Sequence, residues 1–206
     1  VEYITGTLTI EKASVTVKLH GNTSSVDYDG AVHTVSGYTV DEISNSLYSE
    51  TDFQLKEGKQ ATASRAEKGA SYMLLTGDDF INTNENFANV TFVYTDGYQQ
   101  IAPVGVMVVL HGNVSSIDYD GAAHTVTGYT VDSIKIDGED TTLYTEDDFQ
   151  LKEGLQASAT RTEMGASYMR LTGDDFVNTN SNFDTVTFVY TDGYQEITPV
   201  DVTVVL

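Results

Sequence analysis

Apolar side chains recur at every second position along this chain, in short runs. Val15, Val17 and Leu19 share one face, Val26 and Tyr28 alternate with Asp27 and Asp29, and Val90, Phe92 and Tyr94 fall together. A period of two marks half-buried strands, whose side chains point in turn to core and to water. No stretch keeps a helical period for three turns. Helix is predicted only as single turns, at Ser49-Glu-Thr-Asp52 and Thr76-Gly-Asp-Asp79, where a hydroxyl three residues ahead of an acid can cap one turn. Asp29-Gly30 and Asp96-Gly97 read as tight hairpin turns, as do Asp120-Gly121 and Asp192-Gly193. The pattern predicts an all-β protein of two tandem antiparallel β-sandwich domains of immunoglobulin type. A β-grasp-like unit is the alternative, although no stretch reads as its crossover helix. The Glu-Lys-Gly-Ala-Ser-Tyr order at residues 67–72 approximates a tyrosine corner, with a spacing one residue longer.

The same text is written twice. An offset of 91 places His20 on His111, Tyr28 on Tyr119 and Gly37 on Gly128; from Tyr48 on Tyr144 through Leu110 on Leu206 the offset is 96. The difference, five residues, falls where DEISNSL becomes DSIKIDGEDTTL, and Asp137-Gly138 within it favours a two-residue hairpin. Residues 13–103 and 104–199 are thus expected to be two repeat units. Residues 1–12 match the last strand of a unit and 200–206 the first, so a longer tandem array is expected. Where the copies differ, exposure is implied: Leu74 becomes Arg170, Lys59 becomes Leu155 and Lys68 becomes Met164. The joint carries Pro103 and no Gly-Ser tract, which predicts a stiff end-to-end connection.

Composition narrows the function classes. A formal net charge of −21 repels nucleic-acid phosphates and anionic lipids, so neither is an expected partner. No apolar run is long enough to span a bilayer, and membrane insertion of this stretch is not expected. The absence of cysteine removes disulfides, thiol nucleophiles and zinc-thiolate sites from consideration.

Residues 6–17 (GTLTIEKASVTV), 26–30 (VDYDG), 69–87 (GASYMLLTGDDFINTNENF) and 90–97 (VTFVYTDG) resemble the YDG and MBG-like tandem repeats of large bacterial cell-surface proteins. The Gly-Ala-Ser-Tyr run departs from the more familiar Ala-Gly-Thr-Tyr. The resemblance implies extracellular display on a bacterial surface in an adhesin-like stalk, and it carries over no catalytic or ligand-contact residue.

Candidate chemistry is sparse. The histidines come as the matched pairs His20/His111 and His33/His124, without a nucleophile elbow or an HExxH motif, which points away from an enzyme. Calcium is the one cofactor the sequence suggests, because Asp78, Asp79, Asn82, Asn84 and Asn86, repeated as Asp174, Asp175, Asn178, Asn180 and Asn182, offer many hard oxygens within nine residues. The competing reading is a polar loop whose Asn and Asp side chains build turns. Strand alternation turns Lys56 and Lys152 outward, so a buried Lys–Asn cross-link is not expected. Tyr48 and Tyr144, beside acidic loops, are the first candidates for stacking on sugars. The expected function is therefore a non-enzymatic stalk or spacer with an adhesive role, whose partners are neighbouring repeats and a host glycan or matrix protein. The alternative is a dedicated glycan- or host-protein-binding domain, which a pair of exposed rings would favour.

Overall fold

The computed structural model describes residues 6–205, so the predicted match of residues 1–5 to an earlier repeat lies outside the described residues. The chain divides into two compact units on either side of the Ala102–Pro103 peptide. Among the described residues all regular structure is strand, apart from four single 3-10 turns.

In the first unit the strands are β1 (Ala13–Gly21), β2 (Thr23–Asp27), β3 (His33–Ser36), β4 (Tyr38–Ile43), β5 (Phe53–Leu55), β6 (Thr62–Arg65), β7 (Gly69–Tyr72), β8 (Phe80–Asn82), β9 (Phe87–Thr95) and β10 (Tyr98–Ala102). They form sheets β4-β1-β9 and β2-β10-β7, with the small pairs β3-β6 and β5-β8 beside them. Here the expectation of purely antiparallel sheets is corrected. β1 runs parallel to β9, with Val15 opposite Val90 and Leu19 opposite Tyr94, and β2 runs parallel to β10, with Val26 opposite Ile101.

Parallel pairing arises because β1–β2 and β9–β10 are two long strands lying side by side, each passing from one sheet to the other at the same level. The second correction follows from this: Asp96-Gly97 continues the chain from β9 into β10 and makes no hairpin. Two backbones cross there with no room for a side chain, since a Cβ on Gly97 would lie 2.5 Å from Asn22 O. Asp96 instead clasps a neighbouring loop, accepting from Leu74 N at 2.9 Å and Leu75 N at 3.3 Å. Asp29-Gly30 is likewise a corner, as β2 and β3 belong to different sheets. Asp29 Oδ1 closes it by accepting from Ala31 N.

The core follows the predicted alternation. Val15, Val17 and Leu19 are buried against Tyr48, Phe53, Phe80 and Phe87. A smaller cluster of Ala63, Met73 and Leu75 is joined to it by Tyr94, which packs on both. Each 3-10 turn, at Glu50–Asp52, Gly77–Asp79, Glu146–Asp148 and Gly173–Asp175, has the capping box its sequence announces. Opposite this order, Leu74 and Arg170 sit at φ 60° and 64°, a region that costs a residue with a Cβ.

The second unit repeats the plan with β11 (Val104–Gly112), β12 (Val114–Asp118), β13 (His124–Thr127), β14 (Tyr129–Ile136), β15 (Glu139–Asp140), β16 (Phe149–Leu151), β17 (Ser158–Arg161), β18 (Gly165–Tyr168), β19 (Phe176–Asn178), β20 (Phe183–Thr191) and β21 (Tyr194–Thr198). β15 is the insertion. Asp137 and Gly138, at φ 51° and 88°, turn the chain so that Ile136 pairs with Glu139, lengthening the sheet to β15-β14-β11-β20. Residues 6–12 and 201–205 carry no strand, and Leu8, Ile10, Val202 and Val205 are exposed.

Candidate functional site

The Asp–Asn loop builds itself. Asn82 Oδ1 accepts from Asn84 N at 3.0 Å, and Asn84 Oδ1 accepts from Asn86 N at 3.0 Å, giving two successive side-chain-closed turns. The amide of Asn82 donates to Asn84 O and Phe87 O, and that of Asn84 to Asp52 Oδ1. Asp79 accepts from Thr76 N and pairs with Lys59 Nζ at 2.8 Å, which holds its carboxyl below the usual aspartate range. Asp78 lies apart from these bonds, lining a groove of about 430 Å³ with Lys56 and Phe80.

The second loop repeats the arrangement. Asn178 Oδ1 accepts from Asn180 N, Asn180 Oδ1 from Asn182 N, and Asp175 from Thr172 N. Asp174 lines the equivalent groove beside Lys152, and Leu155 stands where the first unit has Lys59. The side-chain oxygens of Asn82, Asn84, Asn178 and Asn180 thus each accept a backbone N–H that closes the loop's own turns. Among the described residues no three His, Asp or Glu side chains gather as a metal group.

Tyr48 and Tyr144 are placed differently from the expectation that they are open to sugars. They are 3% and 1% exposed, and their rings are covered: Tyr48 stacks on Phe53 at 6.2 Å and meets Phe87 edge-on at 4.9 Å, as Tyr144 does with Phe149 and Phe183. Each hydroxyl reaches a backbone carbonyl and the loop, Tyr48 lying 2.9 Å from both Asp52 O and Asn82 Oδ1. These tyrosines are core pillars of the Asn loop.

Each histidine faces an aspartate. His20 and His111 meet Asp41 and Asp132 across a strand pair, while His33 and His124 meet Asp29 and Asp120 across a corner, at 2.8–2.9 Å. Lys56 and Lys152 are exposed, as alternation requires. Arg65 clamps the turn before β7, giving its guanidinium protons to the carbonyls of Glu67, Lys68 and Ala70.

The aromatic pair that does face water is elsewhere. In sheet β2-β10-β7, Gln99 and Ile101 point inward and are buried, so Tyr98, Gln100 and Ala102 point outward. Tyr72 on β7 is directly opposite Tyr98, with ring centroids 5.7 Å apart and planes inclined by 56°. The register adds Thr23, Ser25 and Asp27 from β2 and Ala70 from β7 to the same outer face. Tyr168 and Tyr194 form the same pair in the second unit, at 5.6 Å and 53°. Tyr72 and Tyr168 are 55% and 56% exposed, which separates them from every core ring.

Sequence reading missed this pair because Tyr72 and Tyr98 are 26 positions apart. The signal was present all the same: Tyr98 shares its parity with Gln100, opposite to the buried Ile101. The tyrosine-corner expectation fails for the same reason, since Tyr72 turns outward to Tyr98. No protein-family model matches the chain, and no curated protein is similar to it.

Proposed function

We propose that this chain is a non-enzymatic stalk or spacer segment of a bacterial cell-surface protein, displayed outside the cell. The observation that carries the reading is duplication of a self-contained unit. Each copy has its own buried strand β1 or β11, its own ring cluster and its own side-chain-built Asn loop, and the copies follow one another through Pro103 without a flexible linker. Serial repetition of closed units adds length to a polypeptide without requiring new chemistry. The resemblance to surface repeats supports the location, and the charge of −21 suits a well-solvated shaft.

Within the unit, the finer architecture is best described as a small two-sheet barrel-like sandwich with mixed sheets. The parallel pairing of its first long strand with its last favours the β-grasp-like alternative in strand order, without that fold's helix. The test of location is labelling of intact cells of the source organism with antibodies to the two-unit segment. Labelling without permeabilisation is the expected result, and labelling that depends on permeabilisation would refute surface display.

A further inference from the structure

We propose that the outer face of sheet β2-β10-β7, and its copy β12-β21-β18, is a binding platform for a neutral oligosaccharide. The physical basis is a pair of aromatic rings that the core does not use. A ring presents a negative π face, which attracts the polarised C–H groups lining one side of a pyranose. Because the rings of Tyr72 and Tyr98 are inclined by 56°, they form a shallow angled seat.

The seat has a polar neighbour at the right scale. Residues two apart on a strand are separated by about 6.8 Å, and neighbouring strands by about 4.8 Å. The row next to the tyrosines is Ser25, Gln100 and Ala70, in which the exposed Gln100 stands between two small side chains. A sugar seated on the rings therefore has an amide donor and acceptor within reach of its hydroxyls, over a floor low enough to admit a second residue.

Comparison of the two copies sharpens the assignment. Around unchanged rings, Thr23 becomes Val114, Gln100 becomes Glu196 and Ala102 becomes Thr198. In the second unit Glu196 accepts from Ser116 Oγ at 3.0 Å, and Thr198 donates to Asp118 at 2.7 Å. A cross-strand pair serving only the sheet would be worth some stability, but sheet stability does not require that Tyr72 and Tyr168 stand more than half open against their half-buried partners Tyr98 and Tyr194. Charge selects the ligand class. Asp27 on one platform, Asp118 and Glu196 on the other, and the net charge of −21 repel sulfated or sialylated chains, leaving neutral saccharides.

The proposal concerns binding alone and does not depend on where the protein is displayed. It is tested with the two-unit chain against immobilised cello-, manno-, galacto- and chito-oligosaccharides, with heparin and hyaluronan as anionic controls. At least one neutral series is expected to bind. Replacing all four rings (Tyr72→Ala, Tyr98→Ala, Tyr168→Ala and Tyr194→Ala) should weaken that binding about tenfold or more. The four corresponding Phe substitutions keep the π faces and should retain most of it. Circular dichroism melting shows that each variant is folded; if the Ala variant is not, the Phe set and the single Tyr72→Ala and Tyr168→Ala changes decide. Binding unchanged by loss of the exposed rings, no binding to any neutral series, or tighter binding to the anionic controls would overturn the platform.

Discussion

Tyr48 links the core to the loop through one oxygen. Its ring is packed between Phe53 and Phe87, and its hydroxyl lies 2.9 Å from both Asp52 O and Asn82 Oδ1. Tyr48→Phe keeps the packing and leaves these acceptors without that donor, so a loss of about 1–2 kcal/mol is expected in denaturant unfolding. Burial, and then the Asp52 charge, push the Tyr48 hydroxyl up to about 12. The fold thus favours the neutral phenol. Its contribution is present below the ordinary tyrosine value of 10.0 and is lost as the pH rises through about 12, which ultraviolet titration of the wild type against Tyr48→Phe will show. Leu74 presents the opposite case, a side chain that serves nothing in the core: it is 79% exposed and held at φ 60°. Leu74→Gly removes the Cβ penalty at the cost of a looser unfolded chain, and a net gain of up to about 1 kcal/mol is expected from the same measurement.

The turns and corners are where electrostatics matters most. Asp29, Asp52, Asp79 and Asp120 are all held below the ordinary value of 3.8, chiefly by bonds from His33, Ser49 N, Lys59 and His124 respectively. A carboxyl lowered in the folded state stabilises it above the unfolded value, and that stabilisation disappears as the pH falls through the folded value. Melting temperature is therefore expected to drop below about pH 4, with a shallower slope for Asp79→Asn than for the wild type. For the Asn loops, we expect the melting temperature to be the same, within about 1–2 °C, in millimolar calcium and in chelator, because the loop oxygens are already bonded to N–H groups. A rise of many degrees with calcium would show that these bonds give way to metal.

At the scale of the whole molecule, the Ala102–Pro103 division leaves each unit with a complete set of strands. Residues 13–103 and 104–199, expressed separately, should each melt cooperatively with a strand-type circular dichroism spectrum. Failure of either piece to fold would mean that the repeat is not the stable module on which the stalk reading depends. That reading and the saccharide platform are separable, since a unit can extend a shaft with or without an occupied outer face.

The sequence by itself determined the local and periodic features. Alternation placed Val15, Val17 and Leu19 inside and Lys56 outside, hydroxyl-acid spacing marked the capped turns at Ser49–Asp52 and Thr76–Asp79, and Asp137-Gly138 marked the inserted hairpin. Each of these is settled within a few residues by backbone geometry, so it is legible without knowing the neighbours. Pairing direction was decided only by tertiary structure, because Asp-Gly suits both a hairpin and a crossing where two backbones touch, and the choice at Gly97 depends on Gly21 and Asn22, some 75 residues earlier. The roles of the tyrosines were decided in the same way. Tyr48 and Tyr72 are chemically identical, and what buries one and exposes the other is the far strand that each meets, β9 with Phe87 for the first and β10 with the outward-facing Tyr98 for the second.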